Sequence, residues 1–266
     1  MTANILIVCI LTLIIHFIGI ISLSAKIVGT RTRRIASSAS IFNIIIIISQ
    51  FSNTIQAPLL TKTVENNINL GNSPDLSIFR YIIFSATIGS VLGGLLIPTI
   101  HRFMEKGVNA LYNNRSVFLV VIKSFSLSTV IHFKNSCTIP KKSNFDRLNK
   151  FKDIYIELVL LNVVVYAFIT VSVLSCLYAG YLNPNLRTTS LSMSGVAVSL
   201  GSIGMMLFIE PYHATLTDKV IDGSVTESFF RRHLTFVIIA RIFGTILGQF
   251  IFIPLAWLIV KLAEML

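Results

Sequence analysis

Six apolar stretches, each long enough to cross the roughly 30 Å hydrocarbon core of a bilayer, dominate this sequence, and they read as three spans written twice. The third carries Gly89-Ser90-Val91-Leu92-Gly93 with Pro98 downstream, and the sixth carries Gly244-Thr245-Ile246-Leu247-Gly248 with Pro254 downstream. Ahead of each lies a Ser-rich span opened by an Arg-Thr pair, Arg31-Thr32 or Arg187-Thr188, and closed by a proline, Pro58 or Pro211. Three is an odd number, so the second copy enters the membrane from the opposite face. Inverted repeats of this kind are characteristic of transporters that alternate access around a central site.

A chain of 266 residues that is 54% hydrophobic and only 12% charged cannot bury such segments in one soluble core. The expected fold is an all-α integral membrane protein of six transmembrane helices, arranged as two inverted three-helix repeats. The spans fall near 3–24, 35–58, 78–100, 154–180, 189–211 and 234–262, each helical because lipid offers no partner to an unpaired amide. The repeats occupy 1–104 and 154–266, joined by a basic cytoplasmic linker over 105–153. The first span has no small-residue cleavage pattern and reads as retained rather than as a signal peptide. Cys9, Cys137 and Cys176 are scattered and odd in number, which indicates neither a disulfide framework nor a metal site.

Basic residues set the orientation. Lys26, Arg31, Arg33 and Arg34 follow span one, a longer basic run from Arg102 to Lys152 follows span three, and Lys219, Arg231 and Arg232 precede span six. By the positive-inside rule these segments face the cytoplasm of a multi-pass plasma-membrane protein, and both termini lie outside. The net charge of +11 then reflects topology and contact with anionic membrane lipids, and nucleic acid is not an expected partner. Val117 to Phe133 is apolar, but Lys123 and three serines interrupt it. It is expected to form an interfacial amphipathic helix on the inner leaflet.

Polar residues inside the spans are few. Ser49, Asn53 and Gln56 follow helical spacing on span two, with Asn43 and Gln50 on a neighbouring stripe, so that flank faces protein, water or a polar ligand. Ser192, Gly195, Ser199, Ser202 and Gly204 give span five a surface that another backbone can approach. Arg241 lies well inside span six, where a guanidinium costs about 2.5 kcal/mol or more unless paired or hydrated. Glu210, at the cytoplasmic end of span five, is the nearest acid within the spans, offering either a structural ion pair or a charged pair lining a cavity. Arg80 is placed to snorkel at the end of span three. His16, mid-span one, is either a packed hydrogen-bonding group or a proton relay.

The sequence has no paired-histidine metal motif, no Gly-rich phosphate loop and no nucleophile elbow, so neither an enzyme nor a cofactor or metal is expected. Three non-enzymatic functions fit. A lipid flippase needs a cationic groove open sideways to lipid. A small-solute transporter on the same repeat plan needs an enclosed site. A scaffold recruiting cell-envelope enzymes through the basic linker needs packed spans without a cavity.

The run Ile15-His16-Phe17-Ile18, then Gly29-Thr30-Arg31-Thr32, Ser40-Ile41-Phe42-Asn43 and Asn53-Thr54-Ile55-Gln56-Ala57-Pro58 resembles the opening of the Amj family, bacterial alternative lipid II flippases. Glu210-Pro211, Thr217-Asp218, Gly223 and the stretch from Gly244 to Gln249 are similar to that family's last two spans. The resemblance covers nearly the whole chain outside 105–150. It implies movement of lipid II, the undecaprenyl-pyrophosphate-linked cell-wall precursor, from the inner to the outer leaflet, with cell-wall synthesis proteins as further partners. For such a substrate the expected contacts are Arg31, Arg33 and Arg34 at the entrance, since guanidinium forks match phosphate oxygens. Ser49, Asn53 and Gln56 suit sugar hydroxyls, and Arg241 suits the diphosphate deeper in the groove.

Overall fold

A computed structural model describes residues 3–114, 126–138 and 154–266, and among these no strand occurs. Span one is broken into α1 (Ala3–Ile21) and α2 (Ser24–Thr32). It is followed by α3 (Ile35–Asn69), α4 (Leu76–Asn114), the short α5 (Leu127–Ser136) and α6 (Ile156–Leu182). The fifth span is composite: a single 3₁₀ turn leads into α7 (Arg187–Ser192) and α8 (Ser194–Gly204), then a π-helical stretch (Met205–Ile209) and α9 (Glu210–Ile221). α10 (Glu227–Met265) closes the chain, its N-terminus capped by Thr226 Oγ1 accepting from the Phe229 amide. Six of these stretches are long and apolar enough to cross a membrane.

Several helices outrun the expected spans. α3 passes through Pro58 and ends at Asn69, so the proline does not close it. α4 continues to Asn114, beyond residue 104, and α10 begins seven residues before the expected 234. Continuing a helix into the headgroup region keeps its backbone bonded, and a proline within a membrane helix sacrifices one bond without opening the rest. α5 lies within the segment expected at the interface. It docks on α4 through the Phe103–Phe133 edge contact and reciprocal bonds between Thr99 and the Thr138 backbone. Residues 117–125 of that expected helix, with Lys123, lie outside the described residues.

The core is built on the two glycine seams. In α4, a Cβ on Gly89 would collide with the Leu13 carbonyl, and one on Gly93 would lie 2.8 Å from Ile20 Cβ, both on span one. In α10, a Cβ on Gly244 would lie 2.8 Å from the Val163 carbonyl oxygen and one on Gly248 would lie 2.9 Å from Val171, both on α6. Each third span thus packs its seam against the first span of its own half. The second spans also correspond: α3 runs beside α1, and α8 beside α6 through Gly201 and Gly204, which meet Ile169 and Val165. Gly195, by contrast, has nothing within 4 Å, and Ser199 is spent on the Gly195 carbonyl. The close-approach surface of span five is therefore narrower than its small residues suggest. Only 17% of the apolar window of either second span is buried, which leaves both at the lipid-facing periphery.

Gly93→Leu and Gly244→Leu are each expected to lower the thermal midpoint of the purified protein, because a backbone carbonyl near each Cβ cannot rotate away. Overpacking of this kind costs about 1–3 kcal/mol. Gly195→Ala should leave the midpoint unchanged or raise it slightly, since it enters open space and favours helix.

Candidate functional site

Charged side chains meet on one face where the two halves adjoin. Arg31, in the last turn of α2, donates Nε–H and Nη2–H to Glu227 Oε1 (3.2 and 2.9 Å) and Nη1–H to Glu105 Oε2 (3.5 Å). It ties α2 to both α4 and α10. Arg34 donates to Asn109 Oδ1 at 2.6 Å and stacks its guanidinium 3.9 Å from the centroid of Tyr112. Between them Arg33 ends α2 at φ 55°, letting the Arg34 amide reach back to the Gly29 carbonyl. Its side chain is exposed and has no partner among the described residues. Of the three arginines expected to meet a head group, two are anchored and one is free.

Deeper in the bundle Arg241 is 7% exposed. It donates Nη1–H to the Gly19 carbonyl at 3.1 Å, places Nη2 3.9 Å from Met205 Sδ, and lies 5.2 Å from the centroid of Tyr166. The Gly19 carbonyl has no amide partner because the helix breaks after Ile21 and the Leu23 amide goes to Ile20 instead; it accepts from Ser22 Oγ as well (3.0 Å). His16, one turn earlier and buried, meets the same tyrosine edge-on at 5.7 Å, and its Nδ1 has no partner among the described residues. Arg241 Nε is likewise unpartnered there.

Glu210 is not the counterion of Arg241. Its carboxylate lies 2.6 Å from Lys26 Nζ, across the interface between the halves. The break after α1 redirects α2, and the π-helical turn before Glu210 shifts the register of α9, so these two side chains face each other. Lys26 Nζ is also 3.3 Å from His213 Nδ1, and the His213 ring meets that of His233 at 5.4 Å. Both histidines are fully buried. Sequence reasoning treated Lys26 only as a topology determinant and did not weigh His213 or His233. The one available signal was His213 placed three residues after Glu210, on the same side of its helix, with His233 following at the start of the last apolar span.

The polar stripe of α3 divides rather than facing one way. Ser49 is buried, Gln56 accepts a hydrogen bond from Thr12 of α1 at 2.9 Å, and Asn53, Asn43 and Gln50 are exposed. A single helix face spans two environments here because α3 packs on α1 along only part of its length. Arg80 does not snorkel. It donates to the backbone carbonyl of Gln249 and, at 3.0 Å, to its side-chain oxygen, while Gln249 Nε2 donates to the Arg80 carbonyl. On α10, Gln249 is about 12 Å along the axis from Arg241, so Arg80 belongs to a separate layer.

On the face opposite Arg31, the second Arg-Thr pair plays a comparable part. Arg187 lies 3.8 Å from Glu65 of α3, joining the halves beside an open cavity lined by Thr61, Val64, Leu177 and Leu191. The arginines of both Arg-Thr pairs thus form ion pairs between halves, at opposite ends of the bundle, with Arg241 between them. Among the described residues no group of His, Cys, Asp or Glu is arranged to hold a metal ion.

A family model described as Amj, Alternate to MurJ, matches residues 11–263. The chain is 29% identical over 264 residues to a Bacillus subtilis (strain 168) protein named Lipid II flippase Amj, covering 97% of each. No solved structure matches.

Proposed function

This chain belongs to the Amj family, and from that membership we propose that it is a lipid II flippase, moving the lipid-linked peptidoglycan precursor from the cytoplasmic to the outer leaflet. A flippase relocates its substrate and makes or breaks no covalent bond. The observation that carries this reading is the end-to-end match to a protein of that name, across all six apolar spans.

The physical problem is to shelter a diphosphate and its sugars while the polyprenyl tail stays in lipid. The two poorly buried second spans flank the bundle and suit a lateral opening of that kind. In this reading Arg33 makes the first contact with the head group, Arg31 and Arg34 hold the entrance, and Arg241 meets the diphosphate inside. Ser49, Asn53 and Gln56 offer polar groups to the sugars, and His16 is placed for proton coupling rather than for substrate contact. The basic segments lie on anionic lipid of the inner leaflet, available to cell-wall synthesis proteins, and both termini lie outside. The halves are related by a half-turn in the membrane plane, a relation supported by the corresponding places of the two glycine seams.

The test of function is the appearance of lipid II at the outer surface of cells whose other flippases are depleted. Expression of this chain should restore it, and failure to do so at normal abundance would overturn the proposal. Topology has its own test. A cysteine at Ser73 should react with an impermeant thiol reagent in intact cells, whereas one at Ser143 should react only after lysis. Labelling of Ser143 from outside would contradict the six-span orientation.

A further inference from the structure

Buried polar groups in folded proteins are nearly always hydrogen-bonded, and the cluster around Lys26 departs from that rule. His213 Nε2 and both ring nitrogens of His233 have no partner among the described residues, although both side chains are fully buried. Lys26 Nζ lies 2.6 Å from Glu210 and 3.3 Å from His213 Nδ1, and the His233 ring packs on that of His213. One ammonium and two imidazoles therefore gather beside one acid, Glu210. An ammonium 3.3 Å from an imidazole nitrogen repels a metal ion, so the idle N–H of each ring suits an anion that takes hydrogen bonds from both imidazoles and from the lysine.

We propose that Lys26, His213 and His233 form a receptor for the diphosphate of the transported lipid, with Glu210 as its displaceable lid. The inference rests on the flippase reading and adds to it a binding site beyond the arginines. The Glu210 carboxylate occupies the place on the ammonium that a phosphoryl oxygen would take. Glu210 is the accessible member of the pair, its side chain 43% exposed against 18% for Lys26, so an incoming anion reaches the carboxylate first. It is also placed to swing. It begins α9 directly after the π-helical turn, whose Met206, Leu207 and Phe208 are 70%, 64% and 56% exposed. Displacement exchanges one carboxylate–ammonium contact for a phosphoryl contact, and the unpartnered N–H groups of the two histidines add donors that the carboxylate leaves unused.

A receptor with a competing lid predicts effects of opposite sign from the two members of one ion pair. Binding of undecaprenyl diphosphate to the full chain in phosphatidylcholine nanodiscs provides the measure, with inorganic pyrophosphate as the second probe. Lys26→Gln should weaken binding of the lipid by about tenfold, the worth of one charge-assisted hydrogen bond. Lys26→Arg should largely retain binding, and Glu210→Gln should tighten it. Inorganic pyrophosphate should compete only at far higher concentration. Weakening by both Lys26→Gln and Glu210→Gln, or no change in either, would reduce the pair to a structural bridge and overturn the proposal. Equal affinity for inorganic pyrophosphate would overturn its assignment to a lipid head group. If Lys26→Gln does not fold, Lys26→Arg and Glu210→Gln decide by the same signs. Wild-type protein that binds no polyprenyl diphosphate and flips none would instead refute the flippase reading itself.

Discussion

Arg241→Gln is expected to abolish lipid II movement while leaving the protein folded and inserted. The wild-type guanidinium has no carboxylate partner among the described residues; it holds the Gly19 carbonyl, contacts Met205 and lies against Tyr166. Glutamine keeps an N–H donor for the carbonyl and removes a charge whose burial at depth costs about 2.5 kcal/mol or more. Abundance and thermal midpoint should therefore hold or rise. Glu210 loses nothing, since its bridge is to Lys26. What disappears is the charge that a diphosphate would meet. Arg241→Lys should restore part of the transport, because it keeps the charge but lacks the bidentate fork. The assay is lipid II at the outer surface of flippase-depleted cells, read beside protein abundance. Normal transport by a stable Arg241→Gln protein would remove this residue from the pathway.

The basic face yields a second separation of roles, between Arg31 and Arg33. Arg31→Gln strips Glu105 and Glu227 of their shared cation and unties α2 from α4 and α10, so it should lower the thermal midpoint. Hydrogen bonds to charged groups are worth about 1.5–3 kcal/mol, with the partial exposure of these side chains favouring the lower end. A double-mutant cycle with Glu227→Gln should show a coupling of about 0.5 kcal/mol or more. Arg33→Gln breaks no contact seen among the described residues, so its midpoint should not move. If the free guanidinium meets the incoming head group, its loss should slow transport and make the remainder more sensitive to ionic strength. A large drop in stability for Arg33→Gln, or none for Arg31→Gln, would reverse these assignments.

Span number, helical class and the glycine seams were legible in the sequence because hydrocarbon imposes constraints that can be read in one dimension. A span needs sufficient apolar length, and a close helix crossing needs glycines four apart, as at Gly89/Gly93 and Gly244/Gly248. The family resemblance was equally linear, carried by contiguous runs of residues. The partners of the charges were not legible. Glu210, the nearest acid within the spans, was the expected partner of Arg241, but a break in span one and a π-helical turn in span five direct Glu210 to Lys26 and leave Arg241 on the Gly19 carbonyl. Composition suggested one polar flank on α3, yet Gln56 meets Thr12 while Asn53 stays exposed, because helix packing covers only part of that face. Lys26, His213 and His233 come from three helices of two halves and share no local pattern. A charge or a hydrogen-bonding nitrogen acts over a few ångströms, and only the packing of α2, α9 and α10 decides which residues lie within that reach.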